Sequence, residues 1–320
     1  MMDAICLGEL LIDFVCPVVD VSLAEAPRFA KAPGGAPANV AVGLARHGLR
    51  VGFIGKVGAD PFGDFLERTL QAAGVDTAYL QRSPTARTTL AFVATRSDGR
   101  KDITFYRNPG ADQQLSPGDL DWDYLRRARL FHFGSVSLSH SPSREATLEA
   151  ARQAREAGCL VSYDPNWRPT LWDDPQAQEV IWQAVPLAHV VKLAEEEWEF
   201  LTGTPDFAAG SRLLREQGPS LVVITRGEQG SAFDAGEGVV EVPGFAVEVV
   251  DPLGAGDGFV AALLYRLLQE PDPFQVPANS LREILRFANA AGALTTQRVG
   301  VIPALPTTAE VERFLATCSE

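Results

Sequence analysis

Short apolar runs recur along this chain, and most are followed by a stretch with helical periodicity. The strand candidates are residues 4–8, 51–57, 130–133, 160–163, 190–193 and 221–225. The helix candidates are residues 38–46, 61–73, 142–157, 177–185, 195–201, 208–217, 255–268 and 281–297. Strands that are apolar along their whole length need cover on both faces, and alternating helices supply it. The pattern therefore predicts an α/β fold: a central, mostly parallel sheet sandwiched by helices. Local start signals agree, with Pro61 following Asp60 as a first-turn proline and Ser143 standing before an acidic first turn.

Two stretches break the alternation. Residues 87–107 read as a β-hairpin turning at Ser97-Asp98-Gly99, and residues 11–29 are irregular and apolar with no helical partner. Two antiparallel insertions predict a small separate β-sheet at the active-site edge, acting as a lid, a dimer contact or both; an ordinary edge hairpin is the alternative. The expected organisation is one domain over residues 1–320, with lid insertions at about 11–30 and 86–110.

Composition narrows the function classes. A net charge of −13 disfavours nucleic acid and anionic membrane as partners. No apolar run reaches the length of a membrane span, and the N-terminus lacks the basic region of a signal peptide. Cys6, Cys16, Cys159 and Cys318 show no CxxC spacing and read as reduced thiols of a cytoplasmic protein. Four histidines without HxxxH or HExxH argue against a zinc enzyme. Neither a Walker A sequence nor a GxGxxG in a first βαβ unit occurs, which disfavours P-loop phosphotransferases and ordinary dinucleotide dehydrogenases.

The chemistry concentrates in Asp251-Pro252-Leu253-Gly254-Ala255-Gly256-Asp257, which leads into an apolar helix. Small residues at a helix start let backbone N–H groups converge on an anion. Asp257 in that turn either favours the helix dipole or acts as a base toward a hydroxyl attacking a phosphoryl group. A second glycine-rich element, Gly34-Gly35 followed by Asn39, offers peptide groups and an amide to a polyhydroxylated ligand. Asp13 follows the first strand, where ligands of open α/β sheets bind. Arg107 closes the hairpin and either reaches into the site or is a solvated charge. Asp164, Asn166 and Arg168 alternate in what reads as an extended segment, so they share one face; loop capping equally explains the first two. Glu195-Glu196-Glu197 fits a helix start, with Glu197 also able to orient metal-bound water. Thr225, Gly227 and Gly230 read as a loop over a nucleotide, and the segment around Gly300 offers carbonyl oxygens.

Together these residues resemble the ribokinase-like (PfkB) family of sugar kinases over roughly residues 5–306. Residues 34–48 match the family's N-terminal signature and residues 251–264 its C-terminal one. Within the family the chain is most similar to fructokinases. That likeness rests on Gly8-Glu9-Leu10-Leu11-Ile12-Asp13-Phe14, on Phe105-Tyr106-Arg107-Asn108-Pro109-Gly110-Ala111-Asp112, on Ser162-Tyr163-Asp164-Pro165-Asn166-Trp167-Arg168 and on residues 300–306.

The resemblance implies ATP-dependent transfer to a sugar's primary hydroxyl, with Asp257 as general base and Gly254, Ala255 and Gly256 as an anion hole. It implies sugar contacts from Asp13, Gly34, Gly35, Asn39, Arg107 and Asn166, with Arg168 near the phosphoryl path. Lys192, Glu197, Thr225, Gly227, Gly230, Gly256 and Asn289 would border ATP, and Glu197 would organise hydrated Mg2+. K+ would sit behind the anion hole on Asp251 and the carbonyls of Leu253, Thr295, Arg298 and Gly300. Relatives often pair through their lids, which implies a homodimer. Rival acceptors are 2-keto-3-deoxygluconate, ribose or a nucleoside, and a non-catalytic sugar-binding relative is the reading from another class. Three residues depart from the family pattern: Pro252 for Thr, Ala194 for Asn or Ser, and Gly258 for Ala. The first puts cation affinity in question, the second the metal–nucleotide contact, and the third is expected to loosen the helix start.

Overall fold

The computed structural model describes residues 2–96, 101–172 and 176–318. In chain order the strands and helices are β1 (Ala4–Leu7), β2 (Leu11–Val15), β3 (Ala30–Gly34), α1 (Ala36–Arg46), β4 (Val51–Gly58), α2 (Pro61–Ala72), β5 (Leu80–Ser83), β6 (Leu90–Thr95), β7 (Lys101–Tyr106) and α3 (Trp122–Arg126). There follow β8 (Leu130–Gly134), α4 (Ser143–Glu156), β9 (Leu160–Asp164), α5 (Ala177–Ala184), β10 (Val190–Ala194), α6 (Glu195–Thr202), α7 (Phe207–Glu216), β11 (Leu221–Thr225), β12 (Gly230–Asp234) and β13 (Val239–Pro243). The chain closes with α8 (Ala255–Leu267), α9 (Ala278–Thr295), α10 (Val301–Ala304) and α11 (Thr308–Thr317).

Nine strands form one sheet in the order β13-β12-β11-β10-β9-β8-β1-β4-β5. It is parallel from β11 to β5, and β12 and β13 extend it antiparallel. Successive side chains of a strand point to opposite faces, and β1 shows the result. Ala4 and Cys6 join the core under α1, α8 and α9, while Ile5 and Leu7 join the core under α4 to α7.

Close helix packing requires glycine at two points on the first of these faces. A Cβ on Gly43 would stand 2.5 Å from Cβ of Ala261, so α1 and α8 approach each other across that glycine. A Cβ on Gly258 would stand 2.4 Å from Oγ1 of Thr295. Gly258 is therefore what lets α8 seat against α9, a packing role that the expected loosening of the helix start did not include.

The small second sheet exists, in the order β3-β2-β6-β7. Its make-up differs from the expectation of purely antiparallel insertions: β2 and β6 run parallel, flanked by the antiparallel pairs β2–β3 and β6–β7. The hairpin over 87–107 is the β6–β7 pair, and its turn at 97–99 lies outside the described residues. Strand β3 runs into the glycine-rich element at Gly34, where the sequence pattern showed no strand. Strands β12 and β13 escaped prediction because they are short and half polar. Ser143 is also not a cap: it is the first residue of α4, and its hydroxyl donates back to the carbonyls of Ser137 and His140.

Candidate active site

The carboxyl ends of β1, β9 and β10 lie by the N-termini of α1 and α8, as expected for a ligand site in an open α/β sheet. Gly254 precedes α8 in the left-handed conformation, φ 79°, and a Cβ there would stand 2.2 Å from Val301. The first intrahelical bond of α8 runs from the Gly258 amide to the Gly254 carbonyl. The amides of Ala255, Gly256 and Asp257 thus have no carbonyl of their own helix to bond. Asp257 is buried in this turn, and its Oδ2 accepts a 2.8 Å hydrogen bond from Nδ2 of Asn39. The close α1–α8 packing across Gly43 is what brings the two together. Burial raises the Asp257 carboxyl to about 6, against the lowering effects of Asn39, Lys192 and Arg168 and with a further push upward from Asp164.

Beside it lies a buried charge cluster. Lys192, on β10, donates to Oδ2 of Asp164 at the end of β9 at 3.2 Å, and both are almost fully buried. The ammonium lies at the start of α8, 3.4 Å from where a Cβ of Gly256 would be. Burial pulls Lys192 toward neutrality, but Asp164, Glu197 and Asp257 outweigh it and its pKa is raised. Oδ1 of Asp164 has no partner among the described residues. Glu197 is buried as well, its carboxyl raised by desolvation and by Asp164. Its two oxygens accept from the amides of Ala194 at 2.9 Å and Trp167 at 2.7 Å, so it fastens the Trp167 loop to the start of α6. The amide of Ala194 is thus held by Glu197 despite the missing polar side chain at that position.

The sugar-side candidates also converge. A Cβ on Gly34 would stand 2.1 Å from Oδ2 of Asp13, so only glycine allows that carboxylate to lie against the β3–α1 connection. Gly35 follows at φ 110° as the cap position of α1.

Several expectations need correction. Asp164, Asn166 and Arg168 do not alternate along a strand, because β9 ends at Asp164 and Asn166 adopts φ 46°. Asn is among the few residues that tolerate the left-handed region, and the chain turns there. Arg168 still acts electrostatically on Asp257, and its Nη1 donates to the carbonyls of Asn166 and Trp167. Arg107 is neither a solvated charge nor a free arm over the site. It is buried, pairs with Asp112 at 2.6 Å and donates to Ser139 Oγ and the Val136 carbonyl, tying the end of β7 to the body. The loop read at Thr225, Gly227 and Gly230 is the short turn between β11, which ends at Thr225, and β12, which starts at Gly230. Asn289 directs its amide N–H groups to the carbonyls of Val242 and Pro243, holding α9 to β13.

Behind the anion hole, Asp251 joins two segments. Its Oδ1 accepts from the Leu253 amide at 3.0 Å and its Oδ2 from the Gly300 amide at 2.9 Å. The amides of Val250 and Asp251 both reach the Thr296 carbonyl. Pro252 is exposed and leaves these bonds intact. Arg298 directs its side chain to Glu310, and the Thr295 hydroxyl bonds the Ala291 carbonyl, so only their backbone carbonyls could serve a cation.

Sequence reasoning assigned no role to Glu9, whose Oε1 accepts from the Ala36 amide at the start of α1, and left Asp164 between a shared face with Asn166 and Arg168 and loop capping. A glutamate directly after Gly8 at a strand end was the available signal for the first.

Comparison with known proteins agrees with this geometry. The family model described as pfkB family carbohydrate kinase matches residues 1–308. The chain is 46% identical over 310 residues to a probable fructokinase-4 of Arabidopsis thaliana, covering 96% of this chain and 95% of that one. Among solved structures it resembles a fructokinase from Xylella fastidiosa with bound ATP, at a TM-score of 0.92 and 37% identity, over 100% of both chains. It also resembles a fructokinase double mutant from Vibrio cholerae O395 bound to fructose, ADP and potassium ion, at a TM-score of 0.88 and 36% identity, over 98% of each chain.

Proposed function

This chain belongs to the pfkB family of carbohydrate kinases, and on that premise we propose that it transfers the γ-phosphoryl group of ATP to a primary hydroxyl of fructose. The observation that carries the reading is Asp257. A buried carboxylate with a raised pKa, held by Asn39 at the N-terminus of α8, is a base set beside a row of amide donors. Asp13, Gly34, Gly35 and Asn39 hold the sugar so that its primary hydroxyl faces Asp257. As the hydroxyl oxygen attacks the γ-phosphorus, its proton passes to the Asp257 carboxylate and the bond to the β-phosphate oxygen breaks, releasing ADP. The amides of Ala255 and Gly256 meet the negative charge that spreads over the phosphoryl oxygens, and Lys192 and Arg168 add positive charge nearby. Closure of the small sheet over the sugar excludes water, which competes as acceptor.

The donor groups fit the two cations. Among the described residues no three His, Cys, Asp or Glu side chains form a metal cage. Mg2+ keeps most of its waters and is bound through one or two carboxylates together with substrate phosphates, so Asp164, with its unpartnered Oδ1, and Glu197 suit it. When bound, it neutralises phosphate charge. Asp251, which joins the Leu253 and Gly300 segments through its two oxygens, would supply the one carboxylate and the carbonyls of Leu253, Thr295, Arg298 and Gly300 the neutral donors of a weakly charged set that would suit K+.

The test is ADP release in a coupled assay across fructose, 2-keto-3-deoxygluconate, ribose and nucleosides, with Mg2+ and with K+ or Na+. Fructose is expected to give the highest kcat/KM, with K+ above Na+. A preference for another acceptor would overturn the substrate. The base also fixes a pH dependence. Asp257 must be ionised to take a proton, so kcat/KM for the sugar should fall about tenfold per pH step below about 6 and level off above it. A rate that stays flat from pH 5 to 8 would exclude Asp257 as the base.

The small sheet is also read as the contact of a homodimer. Phe92 makes ring contacts with Phe14 and Phe29, both at 5.1 Å, and with Tyr106 at 5.3 Å. Tyr106 is 65% exposed on the outermost strand of that sheet. Sedimentation should give twice the 34.4 kDa chain mass, and Tyr106→Lys should shift it toward one; a wild-type monomer at every concentration would contradict the pairing. Among the described residues no helix is long and apolar enough to cross a membrane, and a cytoplasmic location is part of the same reading.

A further inference from the structure

Helix α1 starts without a cap of its own. Gly35, its cap residue, has no side chain, and a Cβ there would stand 2.3 Å from the Glu9 carbonyl oxygen, so none can be accommodated. Pro37 has no N–H, and the Asn39 amide is already bonded to the Gly35 carbonyl at 2.9 Å. The Ala36 amide is one of the donors that every helix leaves unsatisfied at its first turn. It donates to Oε1 of Glu9 at 2.9 Å, across 27 residues of chain.

Glu9 is buried at the end of β1, with 4% of its surface exposed, and its Oε2 has no partner among the described residues. It sits where three connections between the small sheet and the body meet: β1 into β2, β3 into α1, and the segment after β7 that carries Arg107 and Asp112. Those two are the charged groups that act on it, Arg107 favouring its ionised form and Asp112 the neutral one. Burial is the larger effect and pushes the carboxyl to about 7. A carboxylate accepts a backbone N–H at a helix start favourably in either charge state, and as an anion also favours the helix dipole.

We propose that Glu9 is a positioning residue for the sugar: by capping α1 from the end of β1, it fixes Gly34, Gly35 and Asn39 in the arrangement that receives the acceptor. The proposal rests on the kinase reading above. Glu9 touches neither reacting group; it acts through the β3–α1 connection and, by way of Asn39, on Asp257.

The test is steady-state kinetics of Glu9→Ala and Glu9→Gln with ATP and whichever sugar the wild-type enzyme phosphorylates. Glu9→Ala removes the acceptor and should raise the KM for sugar about tenfold, a typical cap loss, with the KM for ATP within twofold. Glu9→Gln keeps a carbonyl oxygen for the Ala36 amide and should stay within threefold of wild type in all constants. An unchanged sugar KM in Glu9→Ala would overturn the proposal, as would equal rises in both KM values or failure of Gln to restore sugar binding. If Glu9→Ala does not fold, Glu9→Asp replaces it. Its shorter carboxylate should give the same selective rise, and wild-type constants there would likewise overturn the proposal. Absence of ADP release by wild-type enzyme with every sugar would instead refute the kinase reading, so the two failures are distinguishable.

Discussion

Asp257→Asn is expected to lower kcat by about 10²–10⁴-fold, the range for loss of a general base, while both KM values stay within a few-fold. Asn is the same shape and still accepts from Asn39, so the loss falls on proton transfer alone. The same change is expected to stabilise the protein at neutral pH. The Asp257 carboxyl titrates near 6 in the fold and near 3.8 in the ordinary case. Between these values the native state holds more protons than the unfolded chain, so stability falls as pH rises through that window. Above about pH 6 the full penalty of the buried charge is present, roughly 3 kcal/mol. Asparagine does not ionise and escapes it. Kinetics and thermal melts on one preparation check both halves, and a slow variant that also melts earlier would point to structural damage instead.

The second large effect is expected at Lys192. Its ammonium offsets three buried carboxylates, Asp164, Glu197 and Asp257, and is within hydrogen-bond reach of the first. Lys192→Met fills similar space without the charge. Removing one partner of a buried pair leaves the other uncompensated and typically destabilises by about 3–5 kcal/mol. Chemical denaturation should show a loss of that size. ATP saturation should show a KM raised at least about tenfold, a difference of some 1.4 kcal/mol, because the ammonium stands beside the start of α8, where the phosphates are proposed to bind. A folded variant with an unchanged KM for ATP would remove Lys192 from the nucleotide site.

Much of the central sheet was legible in the sequence because it is buried on both faces. A strand such as β10, Val-Val-Lys-Leu-Ala, reads as apolar with one conspicuous charge, and that charge is the lysine buried against Asp164 beside the start of α8. The glycines at 34, 35 and 254 were legible because small residues mark close approach. What was not legible depends on contacts across long sequence distances. Nothing near Arg107 announces that Ser139 and Val136, 32 and 29 residues on, help enclose it, and nothing near Asn289 announces β13. Strand alternation also failed beyond Asp164, because a single residue, Asn166 at φ 46°, turns the chain. The parallel pairing of β2 with β6 was hidden for a similar reason: their partnership spans three intervening strands and two helices.

The most direct test of the central claim is the identity of the product. Wild-type protein incubated with fructose, ATP, Mg2+ and K+ should give, by phosphorus and carbon NMR, one fructose phosphate ester per ADP, with phosphate on the primary carbon 6. ADP accompanied by inorganic phosphate, or an ester on a ring hydroxyl, would contradict the account of Asp257 as the base that directs a primary hydroxyl of fructose onto ATP.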